Sequence, residues 1–415
     1  MWCYLFLGLL WTAQYSLNIF ALSSRYIACQ LQKPSGISPL SGCPQRTIFV
    51  SATDPHAHFP SVQEAISSLP PTGDATILVG EGEYHETVNV TRTDPITLLV
   101  RASESRVCDD LFELTCVMQG QLRSESAFSP YGNATTRNLV HIWDNQFVRT
   151  GMDDAQSAVL IVAPSFNASL IGAGPTGAPL QPLFGNVNFK AYNINFENRA
   201  ANFSISQALV TDISYANASF YGCTFASFQD TWYTGRNAST YVVDSIIFGQ
   251  TDYLFGSGTA WFQNVVLANR ACGGGIAAWK GTNITDAPGN RYGVYVADSK
   301  IIRSPDANAT TVTSGRCFLG RPWNDLATTV YLRTFMDDSI RPAGWEPFDA
   351  ARPTIMNTTF YAEYESYGPG GNTSARVSIE HILNATEARK FTVDEVFLGK
   401  PAWIDFDYTA VPFEW

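Results

Sequence analysis

Basic residues are scarce in this 415-residue chain. Lys and Arg total 26 against 37 Asp and Glu, giving a formal charge of −11 and a pI near 4.9. Nucleic acid and anionic lipid both select a basic footprint, so neither is an expected partner. Histidine is also sparse. The five His (His56, His58, His85, His141 and His381) form no metal-ligand motif, and no Cys pair has zinc spacing. These residues point to no metal site, and no cofactor is expected. Serine-hydrolase elbow, zinc-protease and P-loop patterns are missing as well. GAGPTG (172–177) matches a dinucleotide fingerprint, but Pro175, Pro179 and Pro182 forbid the helix that must follow it, so it reads as a turn. Past the first residues, no stretch approaches the roughly 18 apolar residues of a membrane span. What remains is 45% apolar and 13% aromatic, the composition of a folded chain.

The N-terminal run WCYLFLGLL (2–10), followed by small residues at Ala21, Ser23 and Ser24, reads as a secretory signal over 1–23. An uncleaved anchor is the alternative, because no Lys or Arg precedes the run. Asn-X-Ser/Thr sequons at Asn89, Asn133, Asn167, Asn202, Asn217, Asn237, Asn283, Asn308, Asn357, Asn372 and Asn384 support a secreted glycoprotein with no membrane attachment once the signal is removed. Loss of Cys3 with the signal leaves seven Cys, hence at least one free thiol. Cys108–Cys116 and Cys29–Cys43 are candidate pairs, and spacing alone does not decide the connectivity.

A lead segment (24–57) precedes a helix over Phe59–Leu69, where Ser61 and Glu64 form a capping box and Val62, Ala65, Ile66 and Leu69 share a face. Short strand-like stretches then recur at 192–198, 220–226, 242–249, 262–269 and 296–303, with starts 28, 22, 20 and 34 residues apart. A period near 22 without intervening helices predicts an all-β solenoid, a right-handed parallel β-helix, occupying 58–415 with the helix near residue 60 capping one end. A β-sandwich is the alternative, although it would want hairpin turns. The 101–154 stretch reads as a loop-rich excursion, and 393–408 as a tail packing back along the solenoid.

Gln207 and Gln229 stand 22 residues apart, and so do Asp230 and Asp252. Residues one period apart stack on adjacent coils, about 4.8 Å from each other. Two carboxylates so placed do not both ionise freely, so one becomes a proton donor and the other a nucleophile or base. The spacing also fits two solvated turn aspartates. Gln250 follows Gln229 by 21, outside this register.

At these residues the sequence resembles the pectin methylesterases, the pectinesterase family of carbohydrate esterases. GEYHE (82–86), SQALV (206–210), FYGCTFASFQDTWY (220–233), DYLFG (252–256) and LGRPW (319–323) resemble family segments in family order. The resemblance implies a right-handed parallel β-helix and hydrolysis of galacturonate methyl esters in pectin. It also implies that Asp252 is the nucleophile and Asp230 the acid/base, that Gln207 and Gln229 are oxyanion donors, and that Arg321 pairs with Asp252. Tyr233, Phe255 and Trp323 would line a sugar groove, with core packing as the alternative, and Tyr84 either approaches the groove or packs within its strand. Trp232, Tyr253-Leu254 and Trp279 depart from the family pattern, and Trp279 puts one cleft contact in question. A secreted, fungal-type enzyme of the cell wall, acting as a monomer, is the resulting expectation. A calcium-dependent β-helix pectate lyase and a catalytically silent pectin-binding protein are the competing readings. The charge of −11 predicts a preference for highly methylated pectin.

Overall fold

A computed structural model describes residues 25–31, 33–34, 36–101, 138–172, 177–281 and 291–408. The signal segment, Cys3, the Cys108–Cys116 pair and the sequons Asn133 and Asn283 lie outside the described residues, as do most of the 101–154 excursion and the centre of GAGPTG.

The chain winds as a right-handed parallel β-helix. Three sheets of 11, 8 and 7 strands run along it, and every strand pairing among the described residues is parallel. Each turn of the coil visits the sheets in order. Asn217–Tyr221 lies in the first, Thr224–Ala226 in the second and Trp232–Thr234 in the third, and Ser239–Val243 then returns to the first. The register reproduces the spacing read from the sequence: Phe220 pairs with Val242, Val242 with Phe262 and Phe262 with Val296. Only Tyr192 departs, pairing with Tyr221 rather than Phe220.

The solenoid begins earlier than the repeat suggested. Ile48–Val50, within the expected lead, already pairs with Ala75–Val79 in the first sheet. Val140–Asp144, placed by sequence in the excursion, is a strand of the second sheet between Gly82–His85 and Ile194–Asn198. Two features hid these coils. Ala75–Val79 and Ile96–Val100 are buried on both faces and show no alternation. In addition, Ile96 pairs across a long insertion with Phe189, which destroys any fixed period.

Apolar side chains fill the interior. Phe196 stacks on Phe225 at 5.8 Å, and Trp232 meets Phe225 edge-on at 4.7 Å. At the N-terminal end the helix Val62–Ser67 turns Val62, Ala65 and Ile66 inward and closes the core. Ser61 Oγ accepts the Glu64 N–H at 3.1 Å, and only this half of the expected capping box is formed. Glu86 of the GEYHE segment takes the Val62 and Gln63 N–H groups at 2.8 and 2.7 Å, so this carboxylate completes the cap. The outer face of the first sheet is covered by segments from both ends of the described residues. Tyr26, Cys29 and Tyr408 pack on Phe49, Leu78, Tyr192 and Tyr221, and Ser219 and Tyr192 bond to Trp403 O and the Asp405 carboxylate. Cys29–Cys43 and Cys272–Cys317 are disulfides, and Cys223 is a buried free thiol.

One corner carries the winding. Between the first and second sheets, Asn193, Gly222, Asp244, Asn264, Asp298, Arg333 and Glu365 each adopt a left-handed backbone, with φ between 47° and 62°. Asn, Asp and Gly tolerate this region better than other residues. Asn264 also donates to Asp244 Oδ1 on the preceding coil at 2.6 Å. Asn264→Ala should therefore cost about 1–2 kcal/mol, from left-handed strain and a lost hydrogen bond. Asn264→Gly should cost less. Urea unfolding of the two variants measures the difference.

Candidate active site

The third sheet presents the reactive groups. Trp232 pairs with Leu254 and Tyr233 with Phe255, and a parallel bridge joins Gln229 to Thr251, so Asp230 and Asp252 hold equivalent places on adjacent coils. The backbone fixes both. The Asp230 N–H donates to Thr251 O at 3.0 Å and the Asp252 N–H to Gly275 O at 2.7 Å. Each has left-handed φ, 59° and 48°, which lifts its side chain out of the strand rhythm. They are 7% and 8% exposed.

Arg321 lies two coils beyond Phe255, in register with Ala278 on strand Phe318–Pro322. Its Nε donates to Asp252 Oδ1 at 2.9 Å and its Nη2 to Oδ2 at 2.6 Å, a two-pronged pair. Nη1 donates to Phe348 O at 2.7 Å, while the guanidinium lies 4.6 Å from the Phe348 ring. Gly274 makes room for the pair. Its φ is +64°, and a Cβ there would fall 2.8 Å from Arg321 Nη2 and 2.9 Å from Asp252 Oδ1. The Gly275 N–H donates to Asp252 Oδ1 at 3.1 Å. The Cys272–Cys317 disulfide ties the coil of Gly274 and Gly275 to the coil of Arg321.

Among the described residues Asp230 has no such partner. Burial, then the charges of Asp252 and Asp154, push its carboxyl well above the usual range, against the smaller opposing pull of Arg321. The two acids thus differ in kind: Asp252 is held by a cation, whereas the surroundings of Asp230 favour its protonated form.

Gln207 and Gln229 flank the acids. The strand register here is 21, with Thr211 opposite Trp232, so Gln207 sits one residue off the position that its spacing of 22 implied. Both glutamines still line the same cavity. Ser206 Oγ donates to Gln207 Oε1 at 2.8 Å and Ser204 Oγ to Gln229 Oε1 at 2.9 Å. Each amide therefore keeps its N–H₂ as the end available to a ligand. Gln250, the residue out of register, lines a different groove with Arg270 and Phe228.

The cavity holds about 450 Å³ and brings Gln207, Gln229, Asp230, Asp252 and Arg321 together with Phe255 and Trp323. Two other expected contacts lie elsewhere. Tyr233 is fully buried beneath Phe255, at 4.7 Å between rings, and supports the floor without lining the cavity. Tyr84 is a core residue whose hydroxyl donates to Gly80 O at 2.7 Å. Strand alternation explains it, since Tyr84 is the inward member of Gly82–His85. Trp279 also points inward, fully buried, with its indole N–H on Gly258 O, and Ala278 is the residue of that strand facing the cavity.

The sequence reading missed Met152, Asp153, Asp154, Gly172 and Phe348, which complete the wall. A signal for part of this was present. Asp153 and Gln156 have capping-box spacing, and they cap the short helix Asp154–Ser157. Phe348 had none, being brought in by its carbonyl bond to Arg321.

The pectinesterase family model matches residues 183–400, more than half of the chain. Among curated relatives, Arabidopsis thaliana "probable pectinesterase/pectinesterase inhibitor 46" is 32% identical over 265 residues, covering 61% of this chain and 45% of the relative. Number 59 of the same series is 32% identical over 231 residues, covering 55% and 42%. The chain thus spans less than half the length of these relatives. Among solved structures, pectin methylesterase from carrot superposes with a TM-score of 0.64 at 23% identity, covering 88% of this chain and 97% of that one. The Aspergillus niger enzyme gives 0.61 at 22%, covering 88% and 98%. At these identities the structural likeness concerns the fold. The match of the family model over most of the coils that build the cavity leads to one assignment: the chain belongs to the pectinesterase family.

Proposed function

We propose that this protein hydrolyses galacturonate methyl esters in pectin, releasing methanol and leaving free carboxylates. The observation that carries the reading is the unequal pair: Asp252 gripped by Arg321, and Asp230 one coil away, without such a partner among the described residues and pushed toward its protonated form by burial and by its neighbours' charge. Asp252 attacks the ester carbonyl carbon as its C–O⁻ group becomes an anhydride oxygen. The developing oxyanion is met by the Gln207 and Gln229 amides, whose carbonyl ends are occupied by Ser206 and Ser204. Asp230 gives its proton to the departing methoxide, and methanol leaves. Asp230, now ionised, takes a proton from water, and the hydroxide attacks the galacturonyl carbonyl. The anhydride bond breaks, Asp252 returns as carboxylate, and Asp230 is again protonated. Phe255 and Trp323 offer apolar faces to pyranose C–H groups. Arg321 acts as a positioning residue through Asp252.

Secretion to the cell wall and action as a monomer belong to the same proposal. Among the described residues no helix is long and apolar enough to cross a membrane. A pectin methylesterase mutant of like fold (TM-score 0.57, 20% identity) has been solved in complex with a hexasaccharide, which supports a polysaccharide as the ligand class.

The test is methanol release from pectins of graded methylation, with and without a calcium chelator. Methanol should appear with the chelator present, the pH should fall, and no unsaturated ultraviolet-absorbing chain ends should form. Calcium-dependent absorbance without methanol would mean a lyase. Binding without either product would mean a silent pectin-binding protein.

A further inference from the structure

The wall between Met152 and Gly172 carries two adjacent acids with different circumstances. Asp153 is consumed by structure: its carboxylate accepts the N–H groups of Ala155 at 3.0 Å, Ile171 at 3.0 Å and Gly172 at 2.8 Å, and so ties the short helix to the following turn. Asp154 has no such task. Its carboxylate takes no hydrogen bond and no ion pair from the described residues, and it lines the cavity beside Asp230 and Asp252. The cavity wall thus carries four carboxyl groups, Asp153, Asp154, Asp230 and Asp252, against one cation, Arg321, already committed to Asp252. Besides pushing up the Asp230 carboxyl, the Asp154 charge is left facing whatever enters the cavity.

We propose, resting on the esterase reading above, that Asp154 is a specificity-determining residue that admits the neutral methyl ester and turns away ionised uronate, both as competing substrate and as product. The charge sets discrimination locally, over and above the molecule's net charge. Burial and then Asp153 push the Asp154 carboxyl up to about 6, so the exclusion is present above that pH and fades below it. The groups around it act in both senses. Asp153 beside it is acidic, as are Asp230 two coils on and Asp252 three coils on, Arg321 is basic, and Tyr233 lies beneath. Lys280, against the Trp323 ring at 3.7 Å and lowered by burial to about 8, acts together with Arg236 on the side of Asp153.

The experiment compares wild type, Asp154→Asn and Asp154→Glu. At pH 7.5, Asp154→Asn should lower the ratio of kcat/KM on highly against sparsely methylated pectin about tenfold, mainly through KM on the sparse substrate. It should also tighten inhibition by fully de-esterified polygalacturonate by a similar factor, with Asp154→Glu restoring both. At pH 5 the wild type should approach Asp154→Asn. Direct binding of a fluorescent oligogalacturonate reads the same change without turnover. A wild-type ratio and wild-type oligogalacturonate affinity in folded Asp154→Asn would overturn the assignment. If wild type released no methanol from any pectin, the esterase reading would fail instead, and the binding measurement would still decide the role of the charge.

Discussion

Asp252→Asn is expected to abolish methanol release, with a loss of at least about 10⁴-fold in kcat, while pectin binding survives. Asparagine is the informative replacement because position 252 has a φ of 48°, a conformation that Asn accepts and Ala resists. The amide preserves the shape of the side chain and an acceptor for Arg321 Nη2, but it offers no anionic oxygen to attack the ester. Methanol assay and isothermal titration with methylated oligogalacturonate separate the two effects. A variant retaining more than a hundredth of wild-type turnover would remove the covalent route. Loss of binding along with turnover would show Asp252 acting in recognition.

Asp230→Asn should reduce turnover about 10³-fold and at the same time stabilise the protein. The first effect follows from losing the proton donor for the methoxide and the base for water, each worth about 10²–10⁴-fold. The second follows from linkage. The carboxyl of Asp230 is raised in the folded state by burial, Asp252 and Asp154. The native protein therefore holds a proton that the unfolded chain releases near pH 4, and stability falls as pH rises from there through the raised value. Asparagine does not titrate and carries no like charge beside Asp252, so that loss disappears. The gain should be about 1–2 kcal/mol at neutral pH and vanish near pH 3, as read by denaturant melts at both values. Equal stability at pH 7 would mean that the dyad is not strained in the way its surroundings indicate.

The sequence made the coil visible where the coil was short. Between Tyr192 and Arg303 the inserted loops are few and the β-branched stretches recur, so spacing read off the chain matched the register of Phe220, Val242, Phe262 and Val296. Upstream, strands buried on both sides and a long insertion removed the period. The acids were legible for the same reason as the coil, since Asp230 and Asp252 share one position on successive turns. Arg321 was reached through resemblance rather than spacing, as its partner lies 69 residues away in sequence. The aromatic assignments fared unevenly. Which face a strand residue takes depends on a single step of alternation, and Tyr84 and Tyr233 could not be sorted into floor, core or groove before the sheets were known. Asp154 escaped because it sits on a turn outside the repeat, and its importance comes from the neighbours that tertiary folding brings to it.

The coils between the corner residues differ widely in length: 20 residues separate Asp244 from Asn264, but 34 separate Asn264 from Asp298. The pairing of the sheets does not register the difference. Chain can be added or removed in the connections without shifting the distance between the acids, because that distance is a repeat of the backbone lattice. Loop length at the rim can therefore change the shape of the cavity mouth while the coil holds Asp230 and Asp252 in place.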